Sequence, residues 1–129
     1  MSTAMYLFDR SYKAEQDLSN SQYRIVELSG TDQVDTCDNA ADYPFGVLQN
    51  DPLAGEAATV RHLGVSKVVS DGTANGGISV GSPVGTDAQG RAVRKSANND
   101  VVLGRALDAS SVAGAIIRVL MTGNQYLGV

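Results

Sequence analysis

Aromatic residues are scarce in this chain: tryptophan is absent, and phenylalanine and tyrosine together make up 5% of the residues. Ligand pockets are commonly walled by aromatic side chains, so this composition gives little support to such a pocket. Apolar residues still account for 43% of the chain, which is the level of a globular protein. Valine, leucine, isoleucine and alanine must therefore fill the core, and this suits closely packed β-strands.

Cysteine and histidine each occur once, as Cys37 and His62. A single cysteine excludes an intrachain disulfide, and a zinc site would need several cysteine or histidine ligands. We interpret Cys37 as a buried or half-exposed thiol, with a disulfide between chains as the alternative. His62 has a side chain suited to general base catalysis or metal binding, but a surface or interface histidine is the plainer interpretation. We predict no metal site and no cofactor.

Basic charge is also in short supply, with ten basic residues against fourteen acidic ones and a net charge of −4. The densest basic cluster, Arg91, Arg94 and Lys95, is flanked by Asp87 and Asp100. Nucleic-acid binding needs a basic surface that displaces counterions from phosphates. We therefore predict no nucleic-acid partner.

Long hydrophobic runs are missing too, since every apolar stretch is far shorter than the ~20 residues that cross a bilayer. The N-terminal segment of residues 1–10 lacks both a basic region and a sustained apolar region, as a signal peptide would require. We expect synthesis in the cytoplasm and no membrane partner.

The pattern that is present is that of short β-strands separated by turn residues. Tyr23–Leu28 is rich in β-branched and aromatic residues, and Ala57–Leu63 and Val65–Val69 indicate two strands separated by Gly64. Asp71-Gly72 and Asn75-Gly76-Gly77 are turn signals. Because no window sustains a helical period, the chain is predicted to be all-β. Further strands are predicted at 78–80, 83–85, 91–95, 101–107 and 115–121.

Residues 1–20 show no sustained periodicity and are predicted to be an extended N-terminal arm. The arm carries an apolar patch, Met5 to Phe8, which would be costly to leave in water. Two interpretations stay open: the patch packs on its own domain, or it docks on a neighbouring subunit. Residues 21–123 form the predicted β-domain, and 124–129 a C-terminal tail.

An internal similarity relates residues 46–64 to residues 104–123. The spacing from Gly55 to Val60 and Gly64 equals that from Gly114 to Val119 and Gly123. Two copies of one unit are too few for a solenoid, so we predict a possible duplication within a small barrel or clip.

Two segments imitate catalytic or metal-binding motifs. Gly77–Gly81 reads Gly-x-Ser-x-Gly around Ser79, but a nucleophile elbow needs a following helix, and Ser82-Pro83 follows here. The acidic loop of residues 32–42 lacks the ligand spacing and central glycine of an EF-hand, so a solvated loop is the better interpretation. We predict that the chain is not an enzyme.

The order of segments along the chain is informative once catalysis is set aside. Asp17-Leu18-Ser19 precedes Gln22-Tyr23, and these are followed by the segments 41–50, 54–60, 64–65, 80–84, 87–92 and 103–107. From about residue 14 to residue 123 this succession resembles the decoration (head cement) proteins of tailed-phage capsids.

The resemblance implies a small β-barrel or β-clip (tulip-like) body that assembles as a homotrimer on the outer surface of the virion. Its partners would be the major capsid protein and other copies of itself, and it would stabilise the capsid by clamping neighbouring subunits. A carbohydrate- or receptor-binding β-module on the virion surface is the alternative, which the absence of tryptophan disfavours.

Neither terminus carries a motif that the resemblance covers, so the end that grips the capsid is open. We expect Tyr6, Leu7 and Phe8 to make the contacts with the capsid or a neighbouring subunit. Tyr126 and Leu127 are the second choice.

Overall fold

The structure is a computed structural model that describes the backbone of residues 6–126 and the side chains of residues 8–125. These residues form nine β-strands and no helix, so the prediction of an all-β fold is confirmed. No helix in this part of the chain is therefore available to cross a membrane. The strands are β1 Tyr6–Ala14, β2 Ile25–Gly30, β3 Gln33–Thr36, β4 Gly46–Leu48, β5 Ala57–Asp71, β6 Pro83–Thr86, β7 Ala92–Arg94, β8 Val101–Ala106 and β9 Ala113–Tyr126.

The strands close into two five-membered rings that share β5. Ring 1 runs β1-β3-β2-β4-β5 and closes through pairing of β1 with β5. Ring 2 runs β5-β7-β6-β8-β9 and closes through pairing of β5 with β9. Closure removes the free sheet edges that an open sheet would present, as expected for a small barrel.

Strand β5 reaches both rings because it is long and changes partner in its middle. Its first half pairs with β1, and its second half pairs with β9 from Gly64↔Met121 to Asp71↔Ala113. The prediction of two strands separated at Gly64 was therefore wrong. Gly64 has a φ of 99°, which glycine adopts without steric cost, so the strand passes through it with a local irregularity rather than ending.

The two rings repeat each other strand by strand and register by register. In ring 1, Val26 pairs with Gly46; at the corresponding place in ring 2, Val84 pairs with Gly104. The parallel pair β1–β3 likewise corresponds to the parallel pair β5–β7. The same correspondence of strand order and register holds for all five strands of each ring, and it aligns residues 46–64 with residues 104–123.

One glycine in each ring marks the same close approach of backbones. A Cβ atom on Gly46 would lie 2.6 Å from the carbonyl oxygen of Arg61, and one on Gly104 would lie 2.0 Å from that of Leu120. Both distances are far below van der Waals contact, so neither position has room for a side chain. The repeat is therefore preserved where packing is tightest.

Each ring encloses its own apolar core. The core of ring 1 contains Tyr12, Ala14, Leu18, Val26, Val34, Leu48, Ala58 and Val60. The second core is built on ring 2 and also takes in residues of ring 1; it contains Ile25, Cys37, Val47, Val68, Ile78, Val84, Ala92, Leu103, Ala106, Ile117, Val119 and Met121. Burial of these side chains is the main source of stability, at roughly 25 cal/mol per Å² of apolar area.

Both predicted ends of the chain take part in the sheet where they are described. Residues 6–14 of the predicted arm form β1, which pairs with β5 from Tyr6↔Gly64 to Lys13↔Ala57, so this part is a strand of ring 1. The first residues of the predicted tail continue β9 and pair with β8, as in Val102↔Gln125. The segment interpreted as an acidic loop contains β3.

Candidate functional site

An apolar groove lies where β1, β5 and the segment before β4 meet. It encloses about 460 Å³. We call it the aromatic groove; its lining residues are Phe8, Arg10, Tyr12, Pro44, Phe45, His62, Leu63, Leu103, Gly123 and Asn124. Both phenylalanines of the chain and its one histidine therefore lie around a single concave surface.

The rings in this groove pack against one another in preferred geometries. Phe8 stacks on His62 with centroids 5.0 Å apart, and Phe45 meets His62 edge-on at 4.7 Å. Tyr12 contacts Phe45 edge-on at 5.0 Å. Such aromatic pairs contribute about 0.5–1.5 kcal/mol beyond the area they bury. These contacts stabilise the packed wall of the groove.

His62 is fixed by hydrogen bonds at both ring nitrogens. Its Nδ1 lies 2.9 Å from the carbonyl oxygen of Phe45, and its Nε2 lies 2.8 Å from the hydroxyl of Tyr12. Because a carbonyl only accepts, Nδ1 carries the hydrogen, and Nε2 of the neutral ring accepts from Tyr12. Burial lowers the pKa of His62 and favours this neutral form. His62 thus connects Tyr12 and the backbone of Phe45 through its two hydrogen bonds.

Phe8 is the predicted contact residue whose side chain the structure describes. It remains 48% exposed although it stacks on His62, and Leu63 beside it is 36% exposed. Arg10, on the same rim of the groove, places its guanidinium 5.0 Å from the ring centroid of Tyr12. The groove therefore offers an apolar surface with one cation at its edge.

The other predicted contact residues are only partly described. Tyr6 and Leu7 lie in β1 and Tyr126 ends β9, while Leu127 lies outside the described residues. Gly123 and Asn124, shortly before Tyr126, line the same groove as Phe8. Residues near both ends, which the sequence offered as alternative sites of capsid contact, thus line one groove.

The contributions of Tyr12, Phe45 and His62 to this surface were not predicted from the sequence. Phe45 stood in the Tyr-Pro-Phe stretch that carried the family resemblance, which was the one available signal. Tyr12 gave none, since it lies among charged residues of β1. His62 was treated only as a possible catalytic group, and its position against Phe8 depends on the pairing of β1 with β5.

A second depression, which we call the acidic groove, adjoins the first. It is lined by Glu27, Leu28, Ala41, Asp42, Tyr43, Pro44, Phe45 and Asn124. Desolvation, a hydrogen bond with Asp42 and the neighbouring acidic charges raise the pKa of Glu27 to about 7. Desolvation opposes the ionised form of Asp42 as well, but hydrogen bonds outweigh it and lower the pKa of Asp42. The pair therefore shares one proton near neutral pH.

Cys37 is buried behind this carboxyl pair. Ligand atoms of Glu27, Cys37 and Asp42 all lie within 4.8 Å of one another. Metal binding would require a thiolate, yet burial raises the pKa of Cys37 to about 12. The side chains of Glu27, Cys37 and Asp42 are therefore better suited to binding a proton than to binding a metal ion. With its side chain 1% exposed, Cys37 is also poorly placed for a disulfide between chains.

Ser79 and His62, the two candidate catalytic residues of the sequence, belong to different parts of the molecule. Ser79 is exposed in the connection between β5 and β6, and its backbone N–H donates to the hydroxyl of Ser82. No helix follows it in the described chain. The geometry of a nucleophile elbow is thus not formed around Ser79.

The family of the protein follows from a match to a family model. Residues 16–121 match the model of the phage cement protein family. The match covers well over half of the chain, so the chain belongs to the phage cement protein family. The protein is accordingly a capsid-associated structural protein of a phage.

A solved structure has the same fold. The crystal structure of the head fiber gp8.5 N base in bacteriophage phi29 matches with a TM-score of 0.68 and 19% sequence identity, over 89% of this chain and 93% of that chain. At this identity the likeness shows the fold alone. No curated protein matches the chain significantly.

Proposed function

We propose that the protein binds the outer surface of the phage capsid through the aromatic groove and clamps neighbouring subunits of the major capsid protein. The observation that supports this most strongly is that Phe8 is 48% exposed on a concave wall of packed aromatic rings. An apolar ring held in water costs free energy that a partner surface would recover. Membership of the phage cement family supports the capsid as that partner.

Self-association would strengthen such attachment. A single groove offers a small contact, and a homotrimer would present three of them to adjacent capsid subunits. Once one groove is bound, the others act at a high effective concentration, which raises the total affinity without new contacts. This arrangement suits a protein that must hold several subunits together.

Substitution of Phe8 tests the role of the groove. Phe8→Ala should lower occupancy on purified empty heads about tenfold, because it removes the exposed ring from the contact. Leu53→Ala is the matched control, since Leu53 is 53% exposed and lies outside the groove. Occupancy is measured by pelleting heads with a concentration series of protein, and folding by thermal unfolding.

Equal occupancy of the Phe8→Ala and native proteins, with both folded, would contradict the assignment of the groove. Absence of the native protein from pelleted heads, together with binding on a glycan array, would favour the receptor-binding alternative. A point substitution is preferable to truncation, because removing residues 1–10 would also remove half of β1 and its pairing with β5.

A further inference from the structure

The outward surface of β5 and β9 in ring 2 is apolar. Val65 lies opposite Leu120, and Val69 lies opposite Ile116. Residues directly opposite in an antiparallel pair share one face, so these four lie on one face as two apolar pairs, which together we call the apolar face. Ile116 is 54% exposed and Leu120 is 39% exposed. No described part of the chain covers them.

The fold itself does not require an apolar surface here, because ring 1 has a polar one at the same place. By the register of the two rings, Asp9↔Arg61 corresponds to Val65↔Leu120. Asp9 and Arg61 form an ion pair of 2.9 Å. Further along the same face of ring 1, the pair Lys13↔Ala57 corresponds to Val69↔Ile116 of ring 2. The same strand arrangement thus has a polar outward face in ring 1 and an apolar outward face in ring 2.

Two cations lie within the apolar face. Lys67 and Arg118 are directly opposite each other between the two apolar pairs. Asp108 pairs with Arg118 at 2.8 Å and balances its charge, so the ammonium of Lys67, 5.9 Å from the ring centroid of Tyr23, supplies the net positive charge of this face. A partner for this face should therefore combine apolar groups with negative charge.

The acidic groove of the same molecule has that combination. Leu28 is 48% exposed and Tyr43 is 63% exposed, and they line the groove together with Glu27 and Asp42. The apolar face lies on ring 2 and the acidic groove on ring 1. The two surfaces are complementary in charge, and both offer exposed apolar side chains.

We propose that the apolar face of one copy docks on the acidic groove of a second copy. The contact is heterologous, since two different surfaces meet, and repetition of it closes a ring of copies or extends a filament. This inference deepens the self-association within the proposed function by naming its surfaces. Capsid attachment stays assigned to the aromatic groove, and Phe8 lines that groove alone while Glu27 lines the acidic groove alone, so substitutions of these two residues test the two contacts separately.

A pair of matched substitutions tests the apolar face. Ile116→Glu places an acidic group against the acidic groove and should weaken self-association at least about tenfold, measured by sedimentation over a concentration series. Ala57→Glu places the same group at the corresponding exposed position of ring 1 and should leave self-association unchanged. A native protein that stays monomeric throughout, or equal effects of the two substitutions, would overturn the proposal.

A charge exchange tests the pairing of the two surfaces. Lys67→Glu and Glu27→Lys should each weaken self-association, and the double variant should restore it because the opposite charges of residues 67 and 27 are then exchanged in every copy. Thermal unfolding confirms that each variant is folded. Failure of the double variant to recover would overturn the pairing of these surfaces. Occupancy of Phe8→Ala on heads reports on capsid attachment, so its outcome is separate.

Discussion

At the scale of single residues, the carboxyl groups of Glu27 and Asp42 make folding sensitive to pH. The pKa of Glu27 rises from its ordinary 4.5 to about 7 in the folded protein. Between these values the folded state binds more protons than the unfolded state. The stability that this proton provides is present below pH 4.5 and is lost as the pH rises through 7.

Replacing Glu27 isolates this effect. Glu27→Gln should become more stable relative to the native protein as the pH is raised from 4.5 to 8, by on the order of 1 kcal/mol after solvent screening. Urea unfolding of both proteins at the two pH values measures the difference, and the titration of His62 cancels because both contain it. A difference that does not change with pH would contradict the shared proton.

At the scale of strands, the close approach of β4 to β5 and of β8 to β9 is predicted to limit substitution. Gly104→Ala should destabilise the fold by about 2 kcal/mol or more, because its Cβ would meet the carbonyl oxygen of Leu120. Gly30→Ala is the control, since a Cβ there would make ordinary contact at 3.6 Å with Gln33. We expect it to change stability by less than about 0.5 kcal/mol. Equal effects in chemical unfolding would contradict the packing argument.

The sequence predicted strands well where apolar alternation was strong and poorly where a strand was short or polar. Strand β8 fell where its run of valine and leucine indicated. Strand β3 was hidden among acidic residues, and β1 was hidden because Asp9, Arg10 and Lys13 obscure its alternation. Strand β1 is fixed by long-range pairing with β5, which local pattern does not contain, whereas β3 pairs with its sequence neighbour β2 and also with the distant β1.

At the scale of the whole molecule, two rings of the same strand order explain how a small chain can present different surfaces. The same strand order carries a polar face in ring 1 and an apolar face in ring 2. The glycine spacing in the sequence predicted two similar segments, residues 46–64 and 104–123, and these hold corresponding positions in the two rings. The polar face of ring 1 and the apolar face of ring 2 could not be predicted from the sequence. Their positions correspond only through the strand registers, which place Asp9 of ring 1 where ring 2 has Val65.

The candidate site was predictable in part. An apolar patch that included Phe8 was recognisable as costly in water, and the described structure leaves that ring about half exposed. Its stacking on His62 and its closeness to Asn124 required the closure of ring 1 and the path of β9. Local sequence holds no information on which distant residues such closure brings together.

The central claim is that the aromatic groove grips the capsid from outside, and an electron-microscopy map of decorated heads tests it most directly. Purified protein is added to empty heads and the map is computed at a resolution that separates strands. The account predicts density on the outer surface, with Phe8 facing the shell and each bound assembly touching at least two capsid subunits. A map in which the aromatic groove faces solvent would contradict it.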